Sequence, residues 1–343
     1  MYSSHSSVSE PYLSFVVAAR NDNYGGNFLH RFQNCVNSLS ALCEEHNLDA
    51  ELVIVEWNPP EKQSRLRDAL TWSECLKSIA VRVIEVSGEM HHRFPSADRM
   101  PMFEYIAKNV GIRRATGQYV VATNPDIIFS YELVKSFASR TFSADCFYRV
   151  DRYDVEKLIP LNLRVNQQLE FCRRNAFRVH RQSGSQPTAR LVRLRLQIIR
   201  NLSRLSPRRI IRSSLRRTRK VITQSQPVTK TSLLPPVHTN ASGDFLLMSR
   251  ERWHALRGFP ELKTHSHIDS YMCYLASFAG LQQVVLPSPI YHQEHDRSES
   301  ADRPLTNLGA LEAMIAQTGK LETVNDETWG LGTAVLPITV IGG

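Results

Sequence analysis

The chain is expected to fold as an α/β domain around a mostly parallel central sheet flanked by helices. Three observations predict this. Short apolar runs alternate with amphipathic helical stripes over the first 150 residues, as in repeated strand–helix units. The first of these runs, LSFVVAA (13–19), is of the buried-strand kind. The same rhythm returns after Pro236, behind a segment of different composition.

The first strand is predicted over LSFVVAA (13–19), with a polar turn holding Gly25 and Gly26 behind it. Phe28, Phe32, Val36, Leu39 and Leu42 recur at three- and four-residue spacing and predict the first helix. ELVIVEW (51–57) is a second strand, stopped by Pro59-Pro60, and a helix through Leu66, Leu70 and Leu76 follows. AVRVIEV (80–86) is the third strand. A stripe of Phe103, Ile106, Ala107, Val110 and Ala115 is the next helix, and QYVVAT (118–123) the fourth strand. After Pro236 the pattern predicts a strand over GDFLLMS (243–249), a short helix from Arg250 to Leu256, and a helix over 267–280 ending on Gly280. A strand over LQQVVLP (281–287), left by IYHQEH (290–295), and a helical stripe from Leu308 to Ile315 complete it. Three parts are expected: residues 1–150, a partly helical basic insertion over 151–236, and residues 237–343, the first and last forming one domain.

Charge is uneven. Of 343 residues, 42 are Lys or Arg and 33 are Asp or Glu, a net of +9. Residues 171–243 hold 17 basic and no acidic side chains, so the rest carries 42 − 17 = 25 basic against 33 acidic, a net of −8. A mildly acidic body therefore bears one basic segment. Within it Leu191, Leu194, Ile198, Leu202 and Leu205 form an apolar stripe with arginines opposite, ended by Pro207; a second short helix over Ile210 to Val221 and a linker over 224–236 follow. No Phe, Tyr or Trp occurs between Arg178 and Asp244, which argues against single-stranded nucleic acid. An anionic membrane surface met through 173–220 is the expected partner of this segment, and a poorly ordered insertion the other reading. The six cysteines form no C-x-x-C pair, no apolar run approaches the ~20 residues of a membrane span, and the first residues do not read as a signal peptide. The expected setting is the cytoplasm, with peripheral attachment to the inner face of the membrane as a further expectation.

In open α/β sheets ligands bind beyond the carboxyl ends of the strands. The strand exits here are RND (20–22), EWNPP (56–60) and TNPD (123–126). Asp126 stands between an apolar strand and Ile127-Ile128. A carboxylate there either ligates a divalent cation or serves locally, capping a helix near Ser130 or closing an Asx-turn. Asp244, beside Gly243 on a predicted strand, is read as a contact to a ligand hydroxyl, with an edge-strand charge as the other reading. Trp253 is expected in the core.

The strings AKNVGIRRATGQYVVATNPD, GDFLLMSRERWHALRGFPE and HID, in this order, resemble GT-A glycosyltransferases, especially the family 2-like nucleotide-sugar transferases. The match covers roughly residues 12–150 and 238–296. It implies a Rossmann-like GT-A fold that moves a sugar from a nucleotide-diphospho-sugar donor to a hydroxyl of a glycan or lipid-linked acceptor, with a divalent cation (Mn²⁺ or Mg²⁺). By this resemblance Arg20, Asn21 and Asp22 line the nucleotide pocket, Glu56 holds the base or ribose, and Lys108 or Asn109 lies near the nucleotide. Asp126 ligates the metal, joined by His292 or His295, of which the intervening Gln-Glu lets only one face inward easily. Asp269, at a helix start, is the general base of an inverting transfer. Trp57 is a candidate to stack on a base or sugar, and Trp329 to close over the acceptor. The family's D-x-D reads Asn124-Pro125-Asp126, so one carboxylate is lost, and the acidic pair reads Ile268-Asp269. A sugar nucleotidyltransferase and a non-catalytic protein of anionic surfaces are the alternatives. The first lacks a basic residue directly after the glycines of RNDNYGGN.

Overall fold

The computed structural model describes residues 10–72, 79–156, 158–189, 233–262, 267–296 and 308–342. The predicted stripe from Leu191 to Leu205, the helix over 210–221 and Leu76 lie outside the described residues.

The architecture is α/β, with one 11-stranded sheet. Strands β1 (Leu13–Ala19), β2 (Ala50–Trp57), β3 (Ile79–Val86) and β4 (Tyr119–Thr123) pair in parallel in the order β3-β2-β1-β4. Beyond β4 the predicted parallel pattern gives way. β9 (Phe245–Ser249) runs antiparallel to β4 and meets β6 (Cys146–Val155), also antiparallel. β6 pairs in parallel with β10 (Gln282–Gln293), and β10 antiparallel with the short β5 (Ile127–Phe129). A hairpin of β7 (Ala176–Arg181) and β8 (Gly184–Pro187) extends from β6, and β11 (Ile338–Ile341) closes the other edge on β3. The sheet is therefore mixed: wholly parallel from β3 to β4, and beyond β4 mostly antiparallel apart from the β6–β10 pair.

Side-chain alternation explains the apolar runs. Val16, Ala18, Val53 and Val55 enter one core; Phe15, Val17, Leu52 and Ile54 enter the other. Helix α1 (Phe28–Glu45) covers the second face through Phe28, Phe32, Val36, Leu39 and Leu42, as its spacing predicts. Helices α4 (Glu104–Arg114), α7 (Arg250–Ala255) and α8 (Ile268–Phe278) cover the first. Three short or peripheral helices, α2 (Leu66–Ala69), α3 (Gly88–His91) and α5 (Tyr131–Ala138), join them, with α6 (Val165–Asn175) and α9 (Leu308–Thr318). Among the described residues no helix is long and apolar enough to cross a membrane.

Several boundaries differ from expectation. The predicted strand over 243–249 starts only at Phe245, because Ser242–Asp244 form a 3-10 turn. The last strand does not end at Pro287; it passes an irregularity between Leu286 and Ile290 and continues to Gln293. α2 stops after one turn, where Leu70 is extended. β6 runs through the 150/151 boundary, and α6, β7 and β8 occupy residues expected to be a helical insertion. Their alternating charges hid a strand whose neighbours neutralise them.

Candidate active site

The chain turns back between β1 and β4: from β1 it moves to β2 and β3, then returns to the far side of β1. Such a reversal opens a crevice at the carboxyl ends of the two strands. A cleft of about 450 Å³ lies there, lined among others by Arg20, Asp22, Asn124, Asp126, Arg152, Asp244, Asp269, His292 and His295.

At one end Asp126 meets two histidines. β5 and β10 pair with Ile127 opposite His292, and the Gln293 amide donates to the Asp126 carbonyl at 3.0 Å, so the ladder itself sets Asp126 beside His292. Oδ2 of Asp126 is 3.6 Å from Nε2 of His292 and 3.1 Å from Nε2 of His295. Both histidines therefore face Asp126, against the expectation that only one would. His292 is within the strand while His295 lies past its end, so strand alternation does not separate them. The helix-cap reading of Asp126 falls as well, since the residue before α5 is Ser130. Burial pushes the Asp126 carboxyl up, but the facing imidazoles outweigh it and hold it well below the usual range.

The donor set fits a divalent cation. Oδ1 of Asp126 is buried and takes no hydrogen bond. The three donor atoms lie within 4.8 Å of one another. Separations of 3.1 and 3.6 Å match the edges of a coordination shell with bonds of about 2.0–2.2 Å. Two imidazoles and a carboxylate suit Mn²⁺ and its neighbours better than Ca²⁺.

The loop after β1 closes on this group. A Cβ at Gly25 (φ +67°) would stand 2.2 Å from the His295 ring, so only glycine fits. Arg31 donates to the carbonyls of Tyr24 and Gly26, and the Tyr24 ring meets the His295 ring edge-on at 5.2 Å. Arg20 donates to Asp22 at 2.6 Å and to the Asn58 carbonyl at 2.7 Å.

At the other end Asp269 occupies the first turn of α8. Its Oδ2 accepts from the Ser242 hydroxyl and the Gly243 amide, both at 2.8 Å. Between the two ends, Asn124 donates to Asp244 at 2.7 Å, and Arg152 donates to the other Asp244 oxygen. Asp244 is thus no edge-strand charge: it belongs to the 3-10 turn, and burial, which raises its pKa, is outweighed by Arg152.

Six sequence-predicted residues do not line the cleft. Trp57 is fully buried; its indole N–H donates to His91 at 2.9 Å and its ring packs on Phe94 and Phe103. Both carboxylate oxygens of Glu56 accept from the Leu66 amide, at 3.0 and 3.1 Å, and burial pushes its pKa up to about 7. The Asn21 amide is taken by the Ser64 carbonyl at 2.9 Å. Lys108 is buried between Glu104 and the Gly243 carbonyl, both at 2.7 Å. Asn109 ties the Phe259–Glu261 turn to α4. α4 reads as amphipathic, but the 258–261 turn and the 329–334 arm bury its polar face too; Arg114 alone binds the carbonyls of Gly330, Leu331 and Ala334. Trp329 belongs to that arm, buried under Arg113 rather than over the cleft. Trp253 lies in the core as expected, its N–H on the Val120 carbonyl at 3.0 Å.

Sequence reasoning missed Arg152 and Asp154, both buried in β6. The available signal was CFYRVDRYDV, a strand pattern with four charges that one central strand cannot bury without partners.

No protein-family model matches the chain, and no curated protein matches it. Among solved structures the chain is similar to S. aureus TarS, at 13% identity and a TM-score of 0.39 over 82% of this chain and 36% of that one. It is also similar to residues 1–349 of S. aureus TarS in complex with UDP-GlcNAc, at 12% identity and a TM-score of 0.42 over 91% and 68%. A further structure of TarS 1–349 matches at 12% identity and a TM-score of 0.39 over 82% and 60%. The chain thus spans only 36% of the first of these.

Proposed function

We propose that the chain is a glycosyltransferase that moves a sugar from a nucleotide-diphospho-sugar to an acceptor hydroxyl, with inversion. One observation carries the reading: a single cleft holds a cation-type donor set at one end and at the other a carboxylate, Asp269, that forms no ion pair among the described residues. Leaving-group charge and an acceptor proton are the two problems such a transfer poses. Asp126, His292 and His295 would hold a divalent ion, which supplies positive charge to the departing diphosphate. Arg20 and Asp22, at the β1 exit, would line the nucleotide side. Asp269 would take the acceptor proton. The Ser242 hydroxyl and the Gly243 amide orient its Oδ2, and among the described residues Oδ1 takes no hydrogen bond. A hexose or N-acetylhexosamine donor, a glycan or lipid-linked acceptor and a cytoplasmic setting complete the proposal. The nucleotidyltransferase alternative is weakened because Arg31, the basic residue behind the glycine loop, is engaged by that loop's own carbonyls.

A thermal-stability screen of nucleotide sugars, with and without Mn²⁺, tests this. A donor present at 100 times its Kd stabilises the fold by about 2.7 kcal/mol. At least one nucleotide sugar should raise the midpoint further with Mn²⁺, and Asp126→Ala should lose that metal-dependent part. Midpoints unmoved by every nucleotide sugar would reject the reading.

A further inference from the structure

Two donor groups share His292. Asp126 and His295 stand on its Nε2 side; Asp154 and Glu294 stand on its Nδ1 side, again within 4.8 Å of one another. By donor type alone each group suits a cation. Their surrounding charge separates them. Among the described residues Asp126 pairs only with the two histidines. Asp154 is fully buried, with Arg152 Nε 2.9 Å from its Oδ1 and with Arg178 and His180 on its Oδ2. Arg178 also reaches Glu294 at 3.1 Å. Two guanidinium groups already pair with these carboxylates, Arg152 being shared with Asp244, so a second cation there would have to approach two fixed positive charges.

We propose that Asp154 and Glu294 are positioning residues that hold the Nδ1 proton of His292 and so aim its Nε2 lone pair at a single ion beside Asp126. This rests on the reading that Asp126, His292 and His295 bind a divalent cation. The parallel ladder of β6 and β10 places His292 opposite Asp154. Nδ1 of His292 is buried without an ordinary hydrogen bond, and the oxygens facing it, Asp154 Oδ1 and Glu294 Oε2, each lie 3.4 Å away. A neutral imidazole carries one proton, and two carboxylates on the Nδ1 side favour it there. That leaves Nε2 free to ligate, and the carboxylates behind the ring strengthen it as a donor. Arg152 and Arg178 compensate the buried carboxylates and keep the second group from loading.

Calorimetric titration of the metal-free full chain with Mn²⁺ tests the proposal. Wild type should take up one ion. Asp154→Ala should bind it about 10–100-fold more weakly, the usual cost of losing such a partner. Glu294→Ala should also weaken it. Glu294→Gln should restore affinity to within a few-fold of wild type, because an amide oxygen still accepts the Nδ1 proton, a rescue that a merely structural role does not predict. Melting of each metal-free variant reports folding separately. Should Asp154→Ala fail to fold, the Glu294 pair decides the question from the rim of the network. Two ions per wild-type chain, or wild-type affinity in both Asp154→Ala and Glu294→Ala, overturns the proposal. A wild type that binds no Mn²⁺ overturns the underlying metal reading as well.

Discussion

The two halves of the sheet are built on opposite principles. In β1, β2 and β4 every residue is buried, and nearly every side chain is apolar. In β6 the buried residues include Arg149, Arg152 and Asp154. The parallel half is held by the hydrophobic effect, and its contribution to the cleft is where its strands end. The mixed half places charge inside the fold, where each ion is costly unless paired. The contrast teaches that a scaffold and a reactive site can share one sheet by dividing it along its width.

The largest effect should come from the reactive end of the mixed half. Asp269→Asn should retain donor binding and lose about 10²–10⁴-fold in turnover, the usual worth of a positioned proton acceptor. Wild-type turnover, or a product retaining the donor's anomeric configuration, would remove Asp269 from its role.

A paired stability experiment addresses the comparison directly. Trp57→Ala, in the parallel half, should cost about 3–5 kcal/mol in denaturant unfolding and leave Mn²⁺ affinity unchanged. Arg152→Met strands Asp244 without a guanidinium, leaves Asp154 with the Arg178 guanidinium alone, and should cost a similar ~3–5 kcal/mol. It should shift Mn²⁺ affinity too, since Asp154 faces His292. If Trp57→Ala moves metal affinity as much as Arg152→Met does, the division between the halves is false.

Glu56 is a buried acid of the parallel half, and its effect is smaller and pH-dependent. Its folded pKa of about 7 lies above the usual 4.5. Between these values the folded chain holds a proton that the unfolded chain has released. Stability therefore falls as pH rises through this window, by at most ~1.4 kcal/mol per pH unit, and levels off above it. Glu56→Gln should flatten that slope and gain on wild type above pH 7. Parallel pH–stability curves for the two proteins would refute the assignment.

The smallest effect concerns the basic segment. Full-length chain should float with anionic vesicles at low salt and release as salt rises. Because the hairpin through Arg181 is part of the sheet, the informative deletion is 190–232 rather than 173–220. Equal flotation of both proteins on anionic and neutral vesicles would end the membrane reading.

Legibility followed the same division. β1, β2 and β4 were readable because burial on both faces leaves a mostly apolar run, a signal that needs no knowledge of partners. The exits of β1 and β4 were readable for the same reason, and so were Asp126 and Asp269, each at the end of an apolar element. β6 was not readable, because Arg149, Arg152 and Asp154 look like surface charge until their partners are known. Trp57 and Lys108 were misassigned in the opposite sense: their positions beside the site were correct, but their side chains turn into the protein.

The order of secondary-structure elements, the α/β class and the strand exits that rim the cleft follow from the sequence by itself, because hydrophobic periodicity is local. The antiparallel half, the convergence of His292 and His295 on Asp126, and the pairing of Asp154 with Arg152, Arg178 and His180 were decided only by tertiary structure. The first two depend on the register of β10 against β5 and β6, which lie more than a hundred positions before it in the chain, and the last on the register of β6 against β7. Only the folded sheet lets their charges cancel.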